Sequence, residues 1–428
     1  MLDKIRSLHW QPLCVCLLVF FVVNCALSTG AKAQPPSSSL TLAKAVQMTL
    51  AQHPQLRVFK WRVRALEGQR QFAAQRPAYE LDLEAENILG SGDFEAVDAA
   101  EITLAVSSVI ELGDKQQART AFVDSRLAYV EVEKKVAALD LIGEVTQAFI
   151  TTLSLQEKHA IAKEATTLAQ HTYQQVLMRV NRGVTPKAEG LRAKAALARA
   201  RLKESEIKAR YESSKVILAS YWGANQLSFT QLGGDLYAFN EVPTFNVLLQ
   251  RVNATPAIER YAREARVREA EMQLALSQSD SDLRWQVGIK RFAATDDSAF
   301  SVGVSMPLFA QKRNRGNVQA AIAAKNQVKD EKQAALLALR ARLFKAYTQR
   351  QQQQQGFKQL KQEVIPLLTE SLALTQDAYE KGAYSYLDWA IAQQALLDAR
   401  MTLVDAATSV LLNQALIEQL TAQPLNIR

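Results

Sequence analysis

Two acidic side chains stand in matched positions along the chain. Glu189 and Asp388 each lie six residues after a glycine, Gly183 or Gly382, and each glycine follows a cation, Arg182 or Lys381. The stretches "VNRGVTPKAEGLRAKAALARAR" (180–201) and "YEKGAYSYLDWAIAQQALLDAR" (379–400) keep this offset through Leu197/Leu396 and Arg201/Arg400. A carboxylate so placed can cap a helix, because an acid in the first turn faces unpaired amides and the positive end of the helix dipole. "SYLD", from Ser385 to Asp388, reads as a capping box, and Thr185 with Pro186 reads as a cap and first-turn pair. Capping is the local reading of both acids, and the sequence leaves a further role open.

Other reactive residues are sparse. Beyond Ala33 the histidines are His53, His159 and His171. His53 sits beside Pro54 at a helix break. The other two are twelve positions apart, which is not a ligand spacing. No metal site is expected, and no cofactor. No nucleophile–base set, phosphate-binding glycine loop or zinc-peptidase motif occurs, so no enzyme is expected. Cys14, Cys16 and Cys25 all fall in an N-terminal segment where Lys4 and Arg6 precede "LCVCLLVFFVVNCAL" and "AKA" ends at Ala33. That pattern reads as a cleaved secretory signal peptide over 1–33. Lipidation at Cys25 is the rival, although Asn24 stands where a lipobox wants a small residue. Export without cysteine excludes disulfides and thiolate chemistry in the mature chain.

The elements that position the acids follow from composition and period. The chain has 16 Gly and 11 Pro in 428 residues, and 22% of its residues are charged. Such a mixture reads as long helices. The net charge of +8 is spread along them. No basic block is interleaved with aromatics, so nucleic acid is not an expected partner. Two repeats are expected, over 34–222 and 245–428, joined by a segment at 223–244. Each repeat runs helix, β-hairpin, long helix, tip, shorter helix. The tips are at Gly183 and Gly382. The first helices, from about Thr41 to Gln75 and from Phe245 to Ser279, break near Pro54 and at the matching "ATPAIERY". The long helices, over 113–182 and 311–381, should run roughly 105 Å at 1.5 Å per residue, the second kinked at Pro366. Leu396, Ala399, Leu403, Ala406 and Val410 form a seam of threes and fours. "QRQQQQQ" around Gln351 reads as a solvated helix face.

The hairpins, at 79–111 and 283–309, have a period of two. Tyr79, Leu81, Leu83 and Ala85 alternate with Glu80, Asp82, Glu84 and Glu86, and Ile102, Leu104 and Val106 with Thr103, Ala105 and Ser107. Leu283, Trp285, Val287 and Ile289 alternate with Arg284, Gln286, Gly288 and Lys290. Phe300, Val302, Val304 and Met306 alternate with Ser301, Gly303 and Ser305. Such alternation suits either a soluble sheet under helices or a transmembrane strand of about 9–11 residues, apolar to lipid and polar to a lumen. Four strands cannot close a barrel, and open edges are not tolerated in hydrocarbon. The membrane reading therefore requires partners, and three copies would supply twelve strands.

This arrangement resembles the TolC-like outer-membrane factors of tripartite export systems. The resemblance rests on the internal repeat, the two hairpins and the tip pairs Gly183–Glu189 and Gly382–Asp388. Within that family "EAENILGSGDF", "AEITLAVSSVIELGDKQQAR" and "MPLFAQKRNRG" resemble the subgroup serving heavy-metal efflux of the cobalt–zinc–cadmium type. The resemblance implies a mainly α fold with transmembrane β-strands. A homotrimer would form a twelve-stranded outer-membrane β-barrel above a periplasmic α-barrel that closes at the tips. It also implies a periplasmic adaptor (membrane fusion protein), an inner-membrane proton-driven RND-type transporter, and outer-membrane lipid as partners. Gate and adaptor contact are then expected at Arg182, Gly183, Thr185, Glu189, Lys381, Gly382, Ser385 and Asp388, with three copies of Glu189 and Asp388 forming an acidic constriction near the pore axis that favours cations and Arg182 and Lys381 bridging neighbouring hairpins. The best-known members of the family carry a further aspartate three residues after the tip acid, which helps narrow the entrance. Here Arg192 and Ile391 stand there, so a second carboxylate ring is not expected. A drug-efflux or protein-secretion exit, or a soluble periplasmic coiled-coil adaptor, are the alternatives.

Overall fold

The structure, a computed structural model, describes residues 37–224 and 226–423, so the expected signal sequence and Cys25 lie outside the described residues. The first repeat begins with strand β1 (Ser37–Thr41) and helices α1 (Leu42–Gln52) and α2 (Pro54–Ala73). Pro54 takes the first helical position, where a missing N–H is harmless, and His53 Nδ1 accepts from Gln55 N at 3.3 Å. The hairpin strands β2 (Glu80–Glu86) and β3 (Glu101–Ile110) follow, then α3 (Lys115–Asn181) and α4 (Lys187–Ser220). Strand β4 (Phe229–Gly233) lies in the joining segment. The second repeat comprises α5 (Phe245–Val252), α6 (Pro256–Ser277), β5 (Leu283–Phe292), β6 (Asp297–Ser305), α7 (Ala310–Gln359), α8 (Ile365–Glu380) and α9 (Tyr386–Leu420).

Helix α3 has 67 residues. It is therefore about 100 Å long, and shorter helices pair with it end to end. Phe59 and Leu66 of α2 pack on Val123 and Val130 in its sheet-side half, while Ala193 of α4 and Trp389 of α9 pack with Val176 near its far end. Between these clusters lies the main core: Val145, Phe149 and Leu153 of α3, Leu218 of α4, and Val404 and Leu411 of α9. Each such side chain, fully withdrawn from water, contributes about 1.5–3 kcal/mol. Leu396, Ala399, Ala406 and Val410 are buried, as their spacing predicts. Strands β1 and β4 close this core from one side by pairing in parallel, Leu40 opposite Leu232. That pair is too short to announce itself by period.

Two expectations need refinement. The interruption near Pro366 is a π turn, Leu360–Val364, in which Ile365 N–H reaches back five residues to Leu360 O. Proline offers no N–H and its ring crowds the carbonyl four residues earlier; one widened turn just before it accommodates both. The glutamine tract is not solvated throughout. Arg350 is only 4% exposed, because it lies on the same stripe of α7 as buried Leu343, Ala346 and Phe357. Its guanidinium donates to Asn240 O, and to Gln414 Oε1 at 3.4 Å, tying the 223–244 segment to α7 and α9. Burial works against its charge and lowers its pKa.

Candidate functional site

The four hairpin strands form one antiparallel sheet in the order β2-β3-β5-β6, so the two repeats join through β3 and β5. The register sets apolar residues in rows across all four strands. Leu83, Leu104, Ile289 and Phe300 form one row; Leu81, Val106, Val287 and Val302 form the next. These rows stand bare, with Phe300 84% and Leu83 74% exposed. Within β3 the other face is covered, Ala105 being 1% and Ser107 2% exposed. A contiguous apolar band of this extent is not left to water, which argues against the soluble-sheet alternative.

The inner face is charged. Glu80, Asp82, Glu84 and Glu86 of β2, Glu101 of β3 and Asp297 of β6 share this face with Arg284 and Lys290 of β5, six carboxylates against two cations. Arg284 pairs with Glu80 at 2.8 Å, and Lys290 bridges Glu86 and Glu101 at 2.6 and 2.7 Å. Ser107 Oγ donates to Asp82 Oδ2 at 2.9 Å. Glu84 has no partner within the described residues. Gly288 lets the strands approach closely here, since a Cβ at this position would meet that of Ala105 at 2.8 Å.

At the other end of the helices the two tips are built alike. Gly183 has φ +74° and Gly382 φ +81°. Residues that bear a side chain rarely adopt this conformation. Each tip closes with the same pair of bonds: Gly183 N to Val180 O and Val184 N to Arg179 O, and Gly382 N to Tyr379 O and Ala383 N to Ala378 O. At the second tip the capping box is complete. Asp388 N donates to Ser385 Oγ at 3.3 Å, while Ser385 N and Oγ both donate to Asp388 Oδ2, at 3.0 and 2.6 Å. The Ser385 hydroxyl and amide hold the Asp388 pKa below its usual value.

The first tip departs from expectation. Thr185 caps nothing; it is 9% exposed and sits beside Tyr379. The residue equivalent to Ser385 is Pro186, which has no side-chain acceptor, and Thr185 lies one position too early. Glu189 falls in the first turn of α4, half-buried, near enough to Tyr379 to act on it electrostatically. The two tips are not joined by Arg182 or Lys381 within the chain. Lys381 pairs with Asp377 of its own helix at 2.6 Å, and Arg182 is exposed. Arg179 makes the link: it donates to Tyr379 O and Glu380 O at 3.2 and 3.0 Å and lies over the Tyr379 ring at 4.9 Å. A cation is favoured at such a helix C-terminus. Tyr379 stacks in turn on Trp389, ring centroids 5.1 Å apart, in a cluster with Val176, Ala193 and Tyr386. Sequence reasoning missed Arg179, Tyr379 and Trp389. The only available signal was their place beside the tip glycines.

Among the described residues no group of three or more His, Cys, Asp or Glu is placed to hold a metal ion. His53 stacks on Tyr221, and His159 on Tyr211. A sheet that is apolar outside, charged inside and open at both edges, carried by helices of about 100 Å, defines the wall of a membrane channel with a long extension on one side.

Comparison with known proteins gives that class its family. The model of the outer membrane efflux proteins matches residues 45–224 and 254–423, and the chain belongs to this family. It is thus an outer-membrane protein of efflux, its helices reaching into the periplasm. It is similar to the cobalt-zinc-cadmium resistance protein CzcC of Cupriavidus metallidurans, 26% identical over 68% of this chain and 70% of that one. It is also similar to the nickel-cobalt-cadmium resistance protein NccC of Alcaligenes xylosoxydans xylosoxydans, 23% identical over 72% of this chain and 68% of that one. The fold matches the Campylobacter jejuni CmeC outer membrane channel with a TM-score of 0.73, at 16% identity, over 89% of this chain and 85% of that one.

Proposed function

We propose that three copies of this chain close into one duct and that it conducts heavy-metal cations out of the cell. Pairing β6 of one copy with β2 of the next gives a twelve-stranded barrel without edges, as hydrocarbon requires. The chain does no chemistry and binds no cofactor. The driving force comes from an inner-membrane proton-driven RND-type transporter, reached through a periplasmic adaptor that meets the tips.

The observation that carries the cation reading is the inner face: six carboxylates against two cations per chain, with Glu84 unpaired among the described residues. Three copies would make the lumen strongly acidic. A mobile divalent ion is attracted there without a fixed ligand set to retain it, which suits conduction. The metals named for CzcC and NccC agree with this chemistry. At the tips, Asp388 commits one oxygen to Ser385 and leaves the other to solvent. One carboxylate can therefore cap its helix and, with two symmetry copies and with Glu189, narrow the entrance. Arg182, Gly183, Lys381 and Gly382 present the surface an adaptor would touch.

The test is metal tolerance. A strain lacking the protein should become sensitive to cobalt, zinc, cadmium or nickel while keeping its tolerance of uncharged hydrophobic drugs, and the intact chain should restore growth. Unchanged metal tolerance with lost drug tolerance would refute the cation reading.

A further inference from the structure

The turn that leads out of β6 carries charges its own helix does not want. α7 opens with Lys312, Arg313 and Arg315 and no acid in its first turn, although that end of a helix favours anions. All three side chains are exposed, and none forms an ion pair or side-chain hydrogen bond within the described residues. Just before them Met306, Leu308 and Phe309 are 49, 65 and 76% exposed. Met306 and Leu308 continue the two-residue spacing of the apolar face of β6. At the opposite edge of the sheet, Arg76 is likewise exposed and unpaired, three residues before Tyr79. Tyr79 meets Trp285 edge-on with ring centroids 6.3 Å apart. A cleft of about 730 Å³ opens here, lined by Arg76 and Lys115, by Glu111 and Asp114, and by Tyr79 and Trp285.

The level of these groups is what gives them meaning. The apolar face of β3, from Ile102 to Ile110, spans about 27 Å along the strand at 3.4 Å per residue, enough for a tilted strand to cross the hydrocarbon layer. Lys312 to Arg315 follow Phe309 by three to six residues, about 5–9 Å along a helix. That is the depth of the headgroup zone, about 5–8 Å on each side of the hydrocarbon. Aromatic rings at the border and cations just beyond it match the two layers of a lipid interface.

We propose that Lys312, Arg313 and Arg315, together with Arg76, form a collar that binds the phosphate groups of anionic phospholipids in the periplasmic leaflet. The site rests on the sheet lying in lipid, not on what passes through the duct. If β6 and β2 meet between copies, the basic turn of one chain stands beside Arg76 of the next and the collar is continuous. Its work is to fix the depth of the sheet, so that the helices hang at a set height below the membrane.

The test uses the full protein, extracted in mild detergent and exchanged with vesicles of phosphatidylcholine alone or with one part in three phosphatidylglycerol. Retained lipid is counted by native mass spectrometry. The intact protein should keep phosphatidylglycerol preferentially. A cation near an anionic surface contributes about a fivefold preference, so Lys312→Gln/Arg313→Gln/Arg315→Gln should lower it on the order of 100-fold, and at least tenfold. Arg76→Gln alone should lower it about fivefold. Lys329→Gln/Lys332→Gln, further along the exposed face of α7, should leave it unchanged. Equal retention by intact and triple-variant protein would overturn the proposal, as would an equal loss in the control. Dissociation of the triple variant into single chains would also overturn it, showing that the cations join copies instead of lipid. Absence of any bound lipid on the intact protein would likewise overturn the proposal.

Discussion

Replacing Glu84 tests whether the inner carboxylates set what the duct conducts. Glu84 is the choice because it is unpaired, whereas Glu80, Glu86 and Glu101 are tied to Arg284 or Lys290. Twelve strands about 4.8 Å apart and tilted about 40° give a barrel radius of about 12 Å. A carboxylate reaching inward then lies about 8 Å from the axis. Three such charges act on an axial monovalent cation with about 1.6 kcal/mol in water, reduced to about 0.7 kcal/mol by screening at 0.1 M salt. Glu84→Gln should therefore lower the potassium-over-chloride preference by one cation's worth of attraction and one anion's worth of repulsion, about tenfold in all. Glu84→Lys should reverse the ring and double that free-energy change, while Lys290→Gln should raise cation preference. The assay is the reversal potential of single channels in a planar bilayer under a salt gradient, which does not depend on how many channels are open. Unchanged reversal potentials in all three variants would refute the idea that this face selects ions.

Further outcomes follow from the tips and the buried cation. Asp388→Ala should raise leak and single-channel conductance if the carboxylate narrows the entrance, whereas a role in capping alone predicts only a loss of helix stability of about 1 kcal/mol, read by urea unfolding. Because the folded pKa of Asp388 is depressed, its contribution is fully present above the ordinary aspartate value of about 3.9 and is lost as pH falls through the lower folded value. Conductance should accordingly be flat from pH 7 to pH 5. Gly382→Ala forces a side chain into φ +81° and should destabilise by about 1–2 kcal/mol, while Gly316→Ala in the body of α7, where a Cβ meets nothing, should stabilise by about 0.5–1 kcal/mol. Arg350→Ala should cost roughly 3 kcal/mol in unfolding free energy, because it opens a cavity beside Leu343 and Phe357 and removes the donor to the buried Gln414 Oε1.

What was legible in the sequence was whatever repeats locally. Leu81 and Leu83 or Phe300, Val302 and Val304 announce strands because every second residue must face the same way, and the register then confirms their shared rows. Gly183 and Gly382 announce tips because only glycine takes that φ readily, and Ser385 with Asp388 announces a cap because both partners lie within one turn. Contacts between distant residues were not legible. Arg179 reaches Tyr379 across 200 positions, and no local pattern says so. Thr185 was misread because Ser and Thr near a helix start invite a cap, yet the backbone places Pro186 at the capping position. Arg350 was hidden in a tract of glutamines, where composition speaks for solvent and only the stripe through Leu343 and Phe357 shows that it points inward.

The central claim is that one chain supplies a third of a closed wall. Its most direct test is the native mass of the protein extracted by detergent from the outer-membrane fraction. The four-stranded sheet with two open edges predicts three copies in that fraction and no stable smaller species. A monomer or dimer recovered from the soluble periplasm would contradict it, because the exposed apolar rows would then have to be covered by something other than lipid and the neighbouring copies.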